Sequence, residues 1–90
     1  MNTNGFTINK VLPNPFTNYI NVNYIAAAPE GVAISILNSY GKELRNIRVS
    51  ASKGSNWCAL ENLDDLPKGI YFITAKENNL QSQTLKLIKY

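Results

Sequence analysis

Ninety residues, 44% of them hydrophobic and 17% charged, are enough for one small core and too apolar for a disordered segment. The formal charge of +3 comes from nine basic residues scattered among six acidic ones, which argues against the concentrated basic face of a nucleic-acid binder. A single cysteine, Cys58, excludes an internal disulfide. The absence of histidine removes the usual general base, most zinc sites and Cys–His or Ser–His catalysis.

The chain opens on Met1-Asn2-Thr3-Asn4-Gly5, which has neither a basic leader nor an apolar one. No apolar run approaches the ~18 residues that a membrane-crossing helix needs. Residues 1–10 are expected to be the remnant of a linker to something longer, and residues 11–90 the folded domain. Val11-Leu12-Pro13-Asn14-Pro15-Phe16 follows. Its two prolines forbid a helix interior or a central strand and suit an edge strand entering a rigid turn. In Ile20-Asn21-Val22-Asn23-Tyr24-Ile25, period two places Ile20, Val22 and Tyr24 on one face and both asparagines on the wet face.

Pro29-Glu30-Gly31 is turn chemistry. Val32 to Leu37 reads as a strand with Val32, Ile34 and Ile36 on one side. Asn38-Ser39-Tyr40-Gly41 closes a hairpin in which Gly41 suits a positive φ. Lys42 to Val49 is the returning strand. Leu44 and Ile47 differ in parity there, and a β-bulge near Arg45–Asn46 reconciles them. After a polar loop, Asn56 to Leu60 is a short strand in which Trp57 and Ala59 oppose Cys58 and Leu60.

Leu63-Asp64-Asp65-Leu66-Pro67-Lys68-Gly69 is a compact turn into Ile70-Tyr71-Phe72-Ile73-Thr74-Ala75, the most β-prone stretch. Both of its faces are largely apolar, as befits a central strand. Leu66 to Tyr71 has the form of a tyrosine corner, with the Tyr71 hydroxyl returning to the backbone just upstream. Glu77-Asn78-Asn79 turns the chain, and Gln83 to Tyr90 is the last strand. About seven short antiparallel strands and no convincing helix predict an all-β, immunoglobulin-like β-sandwich.

Little here carries chemistry. Cys58 has no histidine partner and reads as a small buried hydrophobe. Glu61, Asp64 and Asp65 match no known calcium loop and read as solvated turn residues. No glycine-rich phosphate loop occurs, and no metal or cofactor is expected. Tyr19, Tyr40 and Trp57 would form a sugar-stacking platform if exposed together, but Trp57 is expected to anchor the core between the sheets.

Three segments in order carry a resemblance: Leu12-Pro13-Asn14-Pro15-Phe16-Thr17 before a strand; Ile34 to Asn38 followed by Gly41-Lys42-Glu43-Leu44; and Leu63 to Ile73, ending in Lys86-Leu87-Ile88-Lys89. Together they closely resemble the C-terminal sorting domain of the type IX secretion system of Bacteroidetes, the Por secretion type A sorting domain. The resemblance covers about residues 11–90. It implies a secretion signal at the end of a larger cargo protein that crosses the outer membrane through a translocon. A cell-surface sortase then cuts near or before Lys10, and the cargo passes through the periplasm to the surface or the medium. Carried over residue by residue, Pro13, Asn14 and Pro15 match the entry motif, Gly41 and Lys42 the middle one, and Gly69 and Tyr71 the third. Lys86, Leu87, Ile88 and Lys89 match the last motif, where the resemblance implies translocon recognition. An exposed last strand would also suit pairing with another edge, including a strand-mediated dimer. The alternative is an extracellular immunoglobulin- or fibronectin-like adhesion or carbohydrate-binding module. Neither reading is an enzyme, and neither requires nucleic acid.

Overall fold

The computed structural model describes residues 6–77, 80–81 and 84–90, so the expected lead-in Met1–Gly5, the turn residues Asn78 and Asn79, and Gln83 lie outside the described residues. The described elements are β1 (Phe6–Leu12), β2 (Ile20–Ala26), β3 (Glu30–Leu37), β4 (Glu43–Ala51), β5 (Gly54–Leu60), β6 (Gly69–Glu77), the two-residue β7 (Leu80–Gln81) and β8 (Leu85–Lys89). They form two antiparallel sheets. One has the order β1-β2-β5; the other has the order β4-β3-β6, with β7 and β8 sharing the far side of β6. This is the expected sandwich, and β6 is its central strand.

Alternation decides which residues meet between the sheets. Ile20, Val22 and Tyr24 from β2 face Val32, Ile34 and Ile36 from β3 and Tyr71, Ile73 and Ala75 from β6, and all are buried. Two bulges extend the inward rows. In β1 the register slips between Ile8 and Lys10, which lets Ile8 and Val11, three residues apart, both enter the core. In β4 the slip falls at Leu44, because Ile36 pairs with Arg45 and Leu37 with Glu43. Leu44, Ile47 and Val49 then all pack against the core, as the parity mismatch required, with the bulge one residue earlier than expected.

The expected hairpin loop is closed by Asn38. Its Oδ1 accepts from the Tyr40 and Lys42 amides at 2.9 Å each, and Gly41 sits at φ +85°. The tyrosine corner is present, with the Tyr71 hydroxyl donating to the Pro67 carbonyl.

Three expectations need correction. Residues 6–10, expected as linker, are strand: Phe6 pairs with Ala26 and Ile8 is buried. The bulge hid this strand, because Ile8 and Val11 break period two.

Asn23, expected on a wet face, is only 4% exposed. It is roofed by a polar network in which Asn9 Nδ2 donates to Asn23 Oδ1 at 2.7 Å, and Asn23 Nδ2 donates to Ser55 Oγ and the Asn56 carbonyl at 2.8 Å each. A buried amide is tolerable only when its bonds are made, as they are here.

Trp57, expected in the core, is 56% exposed. Leu60 takes the inward place on β5, and parity then turns Trp57 outward opposite Asn23. Phe16, Tyr24 and Tyr71 supply the large buried rings instead.

Candidate recognition site: the last strand and its strap

β8 lies against β6 in antiparallel register, from Gly69 opposite Lys89 to Ile73 opposite Leu85. Its other edge would present the Lys86 carbonyl, both backbone groups of Ile88 and the Tyr90 amide to solvent. All four are taken. Asn14 Nδ2 donates to the Lys86 carbonyl at 3.3 Å, and the Ile88 amide donates to Asn14 Oδ1 at 3.0 Å. The Phe16 amide then donates to the Ile88 carbonyl at 2.8 Å, and the Tyr90 amide to the Phe16 carbonyl at 3.0 Å. Phe16 and Lys89 form a parallel bridge. One side-chain amide thus imitates a strand for two bonds, and a real backbone completes the other two.

The local sequence explains why this strap works. Pro13 and Pro15 have no amide hydrogens and fixed φ, so neither competes with Asn14 for the strand edge. Phe16 is fully buried and meets Tyr71 edge-on, with ring centroids 6.1 Å apart at 65°. At the strap's far end the Asn18 carbonyl accepts from the Leu63 amide at 2.9 Å, so the segment is tied to the corner turn as well.

Three of the four motif segments therefore converge. Pro13, Asn14 and Pro15 form the strap. Gly69 begins β6 at φ +149°, a conformation glycine takes readily, opposite Lys89. Tyr71 pairs with Leu87. Gly41 and Lys42 stand apart, in the β3–β4 hairpin that Asn38 closes.

Within β8 the four motif residues divide by parity. Leu87 is 1% exposed and Lys89 7%, whereas Lys86 is exposed and Ile88 is 39% exposed. The last strand, expected to offer a free edge, is covered from Lys86 to Tyr90. The strap was not legible as its partner, because the asparagine and the strand it serves are 72 and 74 residues apart in the two bonds.

Electrostatics around the corner are local. Arg45 Nη2 holds both carboxylate oxygens of Asp65, at 2.6 and 2.9 Å. Burial raises the Tyr71 pKa above 10.0, and the Asp65 charge adds to it. Burial pushes the Cys58 thiol up to about 11, which suits a packing residue and not a nucleophile. Cys58 in turn adds to the burial effect that raises Tyr24. Glu61 and Asp64 line an open depression of about 330 Å³ with Asn18, Tyr19 and Asn62, while Asp65 is turned to Arg45. Tyr40 belongs to the hairpin of the other sheet, so the three aromatics do not form one platform.

The geometry defines a class: a β-sandwich whose last strand is locked in place by a proline-flanked strap from near its start. A family model for the secretion system C-terminal sorting domain matches residues 10–90, and the chain belongs to that family, whose members are type IX secretion signals. Membership implies an attached upstream cargo, type IX secretion machinery, and export to the cell surface or medium. Among solved structures, the chain resembles dimeric latent PorU from Porphyromonas gingivalis, with a TM-score of 0.80 at 15% identity. That likeness covers 93% of this chain and 9% of the other, and it shows the fold alone. Comparison with curated protein sequences finds no match.

Proposed function

We propose that this domain is an address label without catalysis of its own. It carries a larger cargo through the periplasm and across the outer membrane by the type IX route, and a cell-surface sortase then removes it. The observation that carries this reading is the joining of the entry and last motifs into one folded unit by Asn14 and Phe16. A signal built this way is read folded, because unfolding separates its halves. Within this reading the sortase cuts ahead of Phe6. A cut at Lys10 would remove most of β1, including buried Ile8. Among the described strands, pairing of two copies by strand addition is left with the outer edges of β1, β4, β5 and the two-residue β7.

The test is a fusion of all 90 residues to the C-terminus of a periplasmic reporter in a host with the type IX apparatus. The reporter should reach the surface or medium, and mass spectrometry of the released domain should begin before Phe6. Retention in the periplasm would refute the assignment. Deleting residues 86–90 is a poor control, since it also removes Leu87 from the core.

One observation favours the second reading, an adhesion or sugar-binding module: Trp57 stands outward on β5. Quenching or shift of its fluorescence by oligosaccharides, lost in Trp57→Ala, would support that reading; an unchanged spectrum would dismiss it.

A further inference from the structure

The outward side of an antiparallel sheet packed on one face normally alternates to polar residues. β6 and β8 depart from this at the end where the strap lies. Ile70 pairs directly with Ile88, and Phe72 pairs with Lys86 on one side and Leu37 on the other. These side chains face away from the core, and Ile70 and Ile88 remain 45% and 39% exposed. Strand neighbours stand ~4.8 Å apart and same-face residues ~7 Å apart, so the four apolar positions are contiguous. Further along the same face the register turns polar: Ser35 lies opposite Thr74 and Asn46, and Ser35 Oγ donates to Glu43 Oε1 at 2.9 Å. The apolar character is therefore local, and local exposed patches of this kind mark interaction sites.

Charge divides this face, with lysines on the β8 side and Glu43 at the β4 margin. Lys86 stands within the patch, and Lys68 precedes the first residue of β6. Asp65 is paired with Arg45, whereas Glu43, opposite Leu37, keeps its negative charge at the β4 margin, held there by the neutral Ser35 and Asn46. On the β8 side the charge is positive, from Lys86 and Lys68, so the surface complementary to that side is apolar with carboxylates at its margin. Strand addition at β8 is unavailable, because Asn14 and Phe16 occupy that edge. What β8 leaves to a partner is its outward side chains.

We propose that the outward face of β6 and β8, centred on Ile70, Phe72, Lys86 and Ile88, docks against an apolar, acid-rimmed protein surface of the export apparatus. This rests on the sorting reading above. It narrows the last motif to its outward half and adds two residues of β6 that the motif does not contain. Leu87 and Lys89 support the surface from beneath and touch no partner.

The test compares Ile70→Ser, Ile88→Ser and Lys86→Glu in the reporter fusion, with Ile25→Ser, 41% exposed on β2 of the other sheet, as control. Each of the three should lower exported reporter about tenfold or more, with periplasmic accumulation, while the control exports normally. Circular dichroism and melting of each purified domain check the fold; if a serine variant melts early, Lys86→Glu at its exposed position decides. Folded variants exported at the wild-type level, beside a wild-type fusion that is exported, overturn this surface and leave the sorting reading standing. A wild-type fusion that stays periplasmic overturns both. A domain dimer that Ile88→Ser makes monomeric without loss of export gives the face to a second copy and overturns the proposal.

Discussion

The two sides of the last strand do opposite work. Leu87 and Lys89 point inward and are nearly closed to solvent; Lys86 and Ile88, one residue away from each, point outward and stay open. A motif read as a block of four consecutive residues is in the fold two pairs, one holding the strand down and one displaying it. The strap adds a third part, since it fixes the edge between them. Loss of export on mutating this motif is therefore ambiguous until stability is measured beside it, and the inward and outward residues should separate cleanly.

The largest effect is expected from Leu87→Ala. A 1% exposed leucine opposite Tyr71 leaves a cavity, and the cost should be about 2–5 kcal/mol, measured by urea or thermal denaturation. For a domain this small that is a large share of its stability. Export should fail with folding, and a Leu87→Met variant should recover both. A Leu87→Ala domain that melted like the wild type would erase the distinction between the two sides.

Asn14→Ala should come next. It removes the acceptor for the Ile88 amide and the donor for the Lys86 carbonyl. Both groups lie near solvent, so water replaces part of the loss, and about 1–2 kcal/mol is expected. Hydrogen exchange gives the sharper reading: the Ile88 amide should lose protection, while amides paired within β3 and β6 keep theirs. Asn14→Asp retains the acceptor alone and should fall between.

Much of this fold was legible because most strands obey period two. The inward rows of β2, β3 and β6 follow from alternation alone, and the tyrosine corner follows from Leu66 to Tyr71. What stayed hidden has three physical causes. Bulges break the period, and the one beside Asn9 concealed the start of β1. Hydrogen bonds made by side chains cannot be read from spacing, and those of Asn23 and Asn14 reverse the expectation for a polar residue. Trp57 was decipherable: sharing parity with Ala59 and opposing Leu60, it had to face out once Leu60 faced in.

Alkaline pH should strike the inward side first. Tyr71 lies opposite Leu87 on the inward face, donates its hydroxyl to the Pro67 carbonyl and titrates above its unfolded value of 10.0. Its neutral form is the one the fold prefers. The stability it contributes is thus complete below pH 10 and is lost as pH rises through the folded value. Tyr71→Phe should cost about 1 kcal/mol at neutral pH, by loss of that hydrogen bond, and should show a flatter decline above pH 10 than the wild type. Parallel curves for the two proteins would assign the alkaline loss elsewhere.

The smallest and most discriminating contrast is between two lysines. Lys86 and Lys89 carry the same charge three residues apart, and in the sequence only strand parity distinguishes them. In the fold, Lys89 is 7% exposed beside the strap and Lys86 is exposed. A lysine this covered lies with its aliphatic stem against apolar neighbours, so its truncation removes packing as well as charge. Lys89→Ala should lower stability by about 1 kcal/mol and Lys89→Met should restore most of it, whereas Lys86→Ala should stay within about 0.5 kcal/mol of the wild type. Export should show the reverse order, with Lys86→Ala the more damaging of the two and Lys89→Met close to the wild type. If Lys89→Met abolished export without altering the melting curve, the inward lysine would itself be read, and the motif would act from both sides of the strand.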